Sequence, residues 1–372
     1  MLIYLGCSAV AAFALAVGLT VAGAPPAAVA HAAFALGAMP LIFAAMGHFV
    51  PVLTRSPGVE PAIHRLPLVM QAAGALVVAV LVGAMPGWGL HPAILAGLVA
   101  TGLMLGWTFR RGRACLGKPH PGLAWYKASL ACLLAALVAI LVGLLWPAGY
   151  AVLRLAHLHL NTLGFIGLAA LGTLHVLMPT ALGVPDPQAA LRLRRQLPWA
   201  IGGVVASALA GLAHWLAPLG ALVLAGVVIH TLAGWLMTLG AGRIINDGAA
   251  VALFGAGLGL LAVIAAGLAH GLGWMPGRPA VTGFFALFLL PLVTGALSQL
   301  LPVWRFPGPA TPPRAQLRAA LVRFGALRTA LFLVGGGLLT AGVAAGALLL
   351  AAGVLLFAGV LVTGLLRTRS TR

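Results

Sequence analysis

The side chains able to do chemistry in this 372-residue chain are eleven histidines and three carboxylates, Glu60, Asp186 and Asp247. His31, His48, His157, His159, His175, His214, His230 and His270 fall within or at the ends of long apolar runs. An ionisable or coordinating side chain in such a run is costly, so its presence asks for a reason. The sharpest arrangement is His157-Leu158-His159. Two residues on a helix are separated by about 200° of rotation, so the two imidazoles project to nearly opposite sides. One metal cannot easily take both, but a helix between two cofactors would ligate one on each side. Neutral imidazole is the commonest metal ligand, and its second nitrogen is usually oriented by an acceptor. Asn161 and Thr162 on the same helix are candidates for that orienting role. The alternative is a pair of interfacial histidines bonded to headgroups or carbonyls.

His31 is expected at the same depth. Iron between His31 and His159 would make a bis-imidazole, low-spin haem, which moves electrons and leaves no open position. His157, on the other side, would then hold a five-coordinate haem or a copper with a position free for a diatomic gas. His230, with Thr231 and Trp235, is a further metal candidate near His157. His48 and His175 lie about 25 Å inward along the helix axes. They would serve as a second bis-histidine pair or, alternatively, as capping residues at the inner interface. His214 and His270 read as interface anchors, and His64, His91 and His120 as loop residues. No catalytic residue is identified. Cys7, Cys115 and Cys132 lack metal-ligand spacing, and no nucleotide-binding loop, GxSxG or HExxH occurs.

The elements that must position these residues follow from composition. The chain is 62% hydrophobic and 6% charged, against roughly 25% charged residues in soluble domains. A water-soluble globule and a disordered chain are excluded, and the continuous apolar runs exclude a barrel of alternating strands. With ~20 apolar residues per crossing, twelve spans fit: 2–22, 28–52, 67–86, 90–109, 126–146, 151–181, 198–217, 219–242, 248–272, 280–303, 324–343 and 346–366. The net charge of +18 reads as a topology code rather than as nucleic-acid binding. All basic residues except Arg154 and Arg278 fall on one side of these spans, including Arg369 and Arg372 after the last one. Both termini are therefore expected in the cytoplasm, with the basic face against anionic lipid headgroups. The lipid bilayer is the expected partner, and a bacterial inner membrane the expected location. Residues 1–6 carry no positive side chain, so no cleavable signal peptide is expected. Residues 304–323 form the longest expected loop.

Spans 2, 6 and 10 share a plan. Each carries a glycine midway and a polar residue three or four positions before a closing proline: His48 and Pro51, His175 and Pro179, Gln299 and Pro302. This spacing suggests an all-α, polytopic membrane protein built as one domain over 1–372. Its twelve transmembrane helices would form three four-helix units (1–110, 126–243 and 248–366) in a pseudo-threefold arrangement. The alternative is shared apolar composition with inner-end prolines.

Ala30-His31-Ala32, followed by Met39-Pro40, Gly47 and Pro51, resembles the second helix of haem–copper oxidase subunit I. Ala156-His157-Leu158-His159, followed by Gly164 and by His175 through Pro179, resembles its tenth helix. The wider oxidase-like set includes the NnrS family of membrane haem and copper proteins linked to nitric oxide. The likeness implies a b-type or similar haem held by His31 and His159, a neighbouring haem on His157, and copper as a further cofactor. It also implies a redox partner. The departures are equally specific. The His-x-His helix is the sixth here, span 10 has no histidine, and the adjacent-histidine copper pair and His-x-x-x-Tyr are absent. No span contains Asp or Glu to relay protons. The implied function is therefore a non-pumping membrane haem or haem–copper protein that binds a diatomic gas or passes electrons. The alternatives are a di-haem transmembrane electron carrier and a cofactor-free transporter. An enzyme is not the leading expectation; if one, it would be an oxidoreductase.

Overall fold

The structure is a computed structural model, and residues 1–368 are described; Arg369 and Arg372 lie outside the described residues. The described chain is helical, with no strand among the described residues. Ten helices are long and apolar enough to cross a membrane. They are α1 (Leu2–Val21), α2 (Pro26–Thr54), α3 (Pro61–Leu81), α4 (Gly87–Arg113), α5 (Gly122–Leu145), α6 (Pro147–Leu182), α8 (Leu216–Leu239), α9 (Gly248–Gly271), α10 (Pro279–Arg305) and α13 (Gly346–Arg367). Between them lie α7 (Ala189–Ala208), α11 (Pro312–Val322) and α12 (Gly325–Thr340). The chain is thus a polytopic helical membrane protein. Leu145, Leu222, Leu348 and Leu355 are exposed on its flanks, as lipid-facing side chains are. Trp88, Trp146, Trp215 and Trp274 are exposed at the expected outer ends, as in an aromatic belt.

Two expectations are corrected. The run expected at 198–217 is replaced by α7, which starts at Ala189 and ends at Ala208. Hydropathy discounts its first turns because they carry Arg192, Arg194 and Arg195. The helix nevertheless forms there, because Arg192 is buried against Asp186 and only Arg194 and Arg195 face outward. Residues 304–323 are more than a loop. They contain α11, which buries Leu317 and Leu321 and turns Arg318 toward Asp247.

Burial separates inner helices from outer ones. The most apolar stretches of α6, α10, α2 and α9 are 78%, 72%, 61% and 61% buried, against 33–44% for the other candidate spans. Phe34 of α2 meets Phe284 of α10 edge-on at 5.6 Å, and Phe43 of α2 meets Phe165 of α6 at 6.0 Å. The Gln299 amide of α10 donates to the Thr180 carbonyl of α6 at 3.4 Å. These three helices therefore touch one another, with the rest packed around them.

The same three helices each contain a π-helical stretch: Ala32–Ala38 in α2, Leu160–Gly167 in α6 and Phe284–Leu289 in α10. A π turn holds one extra residue and is frequent at functional sites. Local chemistry explains the widening. Pro40 and Pro291 follow the first and third stretches. Proline lacks an N–H and clashes with the carbonyl four residues back. In α6 the side chains of Asn161 and Thr162 donate to the carbonyls of His157 and Leu158, both at 2.8 Å, and compete with the helical ladder. His31 and His159 immediately precede their stretches; Gly283 holds that position in α10.

Candidate functional site: an imidazole pair at the outer end of the core

His31, at the end of the first α-helical segment of α2, and His157 of α6 face each other with ring centroids 6.3 Å apart and planes 15° from parallel. Each Nδ1 has its own carbonyl. His31 Nδ1 donates to Ala27 at 2.8 Å, one helical turn back. His157 Nδ1 donates to Ala136 of α5 at 2.9 Å. These bonds assign the proton to Nδ1 and leave Nε2 as a lone-pair donor on each ring. A histidine oriented in this way, through its second nitrogen, is the usual form of a metal ligand. The Asn161 amide lies beside the His157 ring, 3.2 Å from Nδ1 and 3.4 Å from Nε2, while anchored on the His157 carbonyl. Both imidazoles are only half-buried in a core whose neighbouring Ala32, Ala33, Phe165 and Ile166 are fully enclosed.

The spacing can be tested against the implied haem. With metal–nitrogen distances of about 2.0–2.1 Å, two imidazoles on opposite sides of one metal have centroids about 6 Å apart. The observed separation is close to that value, and the Nδ1 bonds leave Nε2 free on each ring. Among the described residues, no group of three or more His, Cys, Asp or Glu side chains is placed to hold a metal ion.

The partner expected for His31 was His159, and the structure brings it to His157 instead. His159 is turned to the other side of α6, as a two-residue separation requires. It faces the backbone of Ser207 in α7, with His270 of α9 nearby, and its buried Nδ1 has no partner. His230 does not join the pair; it is exposed on the outer face of α8. The inner histidines have separate surroundings. His48 of α2 lies against Phe49 and Trp304, with centroids 5.1 and 6.1 Å away. His175 of α6 is enclosed between Trp125 and Trp235 at 6.3 and 6.2 Å. They do not form the second pair.

At the opposite, basic end, all three carboxylates are held by arginine. Glu60 accepts from Arg111 at 2.9 Å and from the Trp107 indole. Asp186 pairs with Arg192 in a buried contact. Asp247 pairs with Arg318 at 2.7 Å while its other oxygen accepts from the Ala249 and Ala250 N–H groups to cap α9. Burial raises the Glu60 carboxyl, but its backbone bond, Arg111 and Trp107 outweigh this and hold it below the usual carboxylate range. Sequence reasoning missed two parts of the site. The Ala136 carbonyl belongs to an apolar run with no distinguishing residue. The polar surroundings of His175 were foreshadowed only by Arg192 and Gln196 inside a helical pattern. No protein-family model, curated protein or solved structure matches the chain.

Proposed function

We propose that this chain is a non-pumping membrane haem protein that passes electrons, in which His31 and His157 would hold a b-type or similar haem. The single observation that carries this reading is the His31–His157 pair: 6.3 Å between centroids, nearly parallel, each Nδ1 committed to a carbonyl. Such a haem, when bound, would supply a one-electron change. The protein's part is to hold the rings parallel, to fix both tautomers through Ala27 and Ala136, and to place the Asn161 amide beside the His157 ring. Absence of pumping is supported by the three arginine-held carboxylates, none of them within a candidate span. Proton relays through lipid rest on titratable groups or water chains, and no carboxylate lies within a span to serve as one.

The reading includes membership in the wider oxidase-like set, with twelve spans in three four-helix units, counting α7 and α12 as crossings. The π stretches of α2, α6 and α10 support it, since they recur at one place in each proposed unit. Both termini would face the cytoplasm of a bacterial inner membrane, and a redox partner would exchange electrons at the outer end. A second reading, binding of a diatomic gas at a separate haem or copper, is favoured by His159 with its unpartnered Nδ1.

Oxidised and reduced absorption spectra of the detergent-purified protein, with and without carbon monoxide, test these readings. A Soret band indifferent to carbon monoxide is the expected result. A shift with carbon monoxide would favour the gas-binding reading. No Soret band after expression with ample haem would refute both as haem proteins.

A further inference from the structure

The basic end of the helices opens into a cleft of about 630 Å³ that the proposed haem site does not use. Thr180 near the end of α6, Asp247 before α9, Gln299 of α10 and Arg318 of α11 line it. Arg243 and Asn246 join them from the short helical connection Ala241–Asn246 between α8 and α9. Close backbone packing brings these segments together. A Cβ on Gly248 would overlap the Val322 carbonyl, so α9 begins directly against the end of α11. Arg318 then ties α11 to three other elements. Its Nε donates to Gln299 Oε1 at 2.9 Å, and its Nη2 donates to the Ala181 carbonyl at 2.8 Å and to Asp247 at 2.7 Å. Gln299, which stands in the shared plan where α2 and α6 have His48 and His175, is thus part of the wall of this cleft.

The bonds already made decide what the cleft can hold. Both Asp247 oxygens are taken, one by Arg318 and the other by the Ala249 and Ala250 N–H groups. The Thr180 and Ala181 carbonyls at the end of α6 receive Gln299 Nε2 and Arg318 Nη2. Glu60 and Asp186 are held elsewhere, by Arg111 and Arg192. A cation therefore finds no free carboxylate here. Donors, by contrast, are left over. Arg318 Nη1 and the Asn246 amide have no partner among the described residues, and the exposed Arg243 guanidinium makes no hydrogen bond or ion pair with them. Two guanidiniums against one carboxylate give the cleft a net positive charge. The free donors come from two separate segments, so the fitting ligand carries acceptor oxygens in several directions. We propose that this cleft binds a phosphate group, held by Arg243 and the free Nη1 of Arg318, with Asn246 as a neutral donor. Guanidinium is the side chain best matched to phosphate oxygens, and Arg318 is already fixed in place by its bonds to Gln299, Ala181 and Asp247. The phosphate is that of an anionic lipid headgroup, which basic pockets between helices hold, or of a soluble phosphate compound. This inference does not rest on the haem reading.

Phenylglyoxal modifies accessible guanidiniums and reads the site directly when the modified peptides are quantified by mass spectrometry. Arg243 and Arg195 are both exposed, and Arg195, outside the cleft, is the control. In detergent-purified protein, inorganic phosphate at several times its dissociation constant is expected to slow modification of Arg243 about five-fold relative to sodium chloride of equal ionic strength, with Arg195 unchanged. A second arm uses nanodiscs without free phosphate. Slower modification of Arg243 in discs containing phosphatidylglycerol than in discs of phosphatidylcholine alone, again with Arg195 unchanged, assigns the phosphate to a lipid headgroup. Protection by inorganic phosphate alone assigns it to a soluble compound. Equal modification of Arg243 under all these conditions, or equal protection of Arg195, would overturn the proposal. Arg318→Gln should remove the protection while leaving the rate at Arg243 in chloride unchanged. Because Arg318 also holds Asp247 and Gln299, Asn246→Ala, at an exposed position, serves as a second variant in which protection should fall. Undiminished protection in both variants would overturn the site as drawn.

Discussion

The imidazoles of His31 and His157 lie 6.3 Å apart and 15° from parallel, although 125 residues of chain separate them and the partner expected for His31 was His159. Under the proposed function, His31→Ala and His157→Ala should each abolish the low-spin haem spectrum, whereas His159→Ala should leave it intact. Absorption and electron paramagnetic resonance spectra of the three variants check this. Loss of the signal in His159→Ala with retention in His157→Ala would reverse the pairing.

The π stretch that follows His31 sets the angular position of that histidine relative to the inner part of α2. Deleting Ala35 removes one residue, which on a regular helix rotates the outer segment by about 100° relative to the inner one. His31 would then leave His157. The expected outcome is a protein with unchanged helix content by circular dichroism and a lost bis-histidine signal. An unaltered haem spectrum would show that the widened turn does not position the ligand.

Two π stretches are pressed by a glycine of a neighbouring helix. A Cβ on Gly74 of α3 would overlap the Ala35 carbonyl, and one on Gly259 of α9 would overlap the Leu287 carbonyl. Backbone atoms cannot step aside as a flexible side chain can. Gly259→Ala and Gly74→Ala should each destabilise the protein by about 1–3 kcal/mol, the usual cost of overpacking. Gly226→Ala, with open space around it, serves as the control. Thermal unfolding in detergent compares the three.

Glu60 ties the start of α3 to the end of α4 through Arg111 and Trp107. Its carboxyl titrates below the ordinary carboxylate range in the folded protein. A depressed folded pKa contributes stability above the unfolded value, and that contribution is lost as pH falls through the folded value. Glu60→Gln should therefore lower the melting temperature at neutral pH, and the gap should close on acidification below about pH 4. A gap of constant size from neutral to acid pH would assign the effect to something other than this charge.

The proposed orientation puts Cys115, in the Arg-rich connection between α4 and α5, on the cytoplasmic side. In a Cys7→Ala, Cys132→Ala background, a membrane-impermeant maleimide should label inverted vesicles and leave intact spheroplasts unlabelled. Labelling of the spheroplasts would invert the topology.

Much of this was legible in the residues, because hydropathy and charge act locally along the chain. Runs such as those in α1, α5 and α9 are long and apolar enough to cross a membrane, and the sequence places most arginines between them. The shared plan of spans 2, 6 and 10 identified the helices that prove to carry the π stretches. The rule of two residues on a helix correctly sent His157 and His159 to opposite sides. Only the tertiary structure decided which of them meets His31. A widened turn begins immediately after both His31 and His159, and an ideal helix does not contain that extra residue. The Ala136 carbonyl that orients His157 comes from another helix, which no local pattern announces. The exposure of His230 and the burial of Arg192 were settled in the same way, by which face of a helix its neighbours cover.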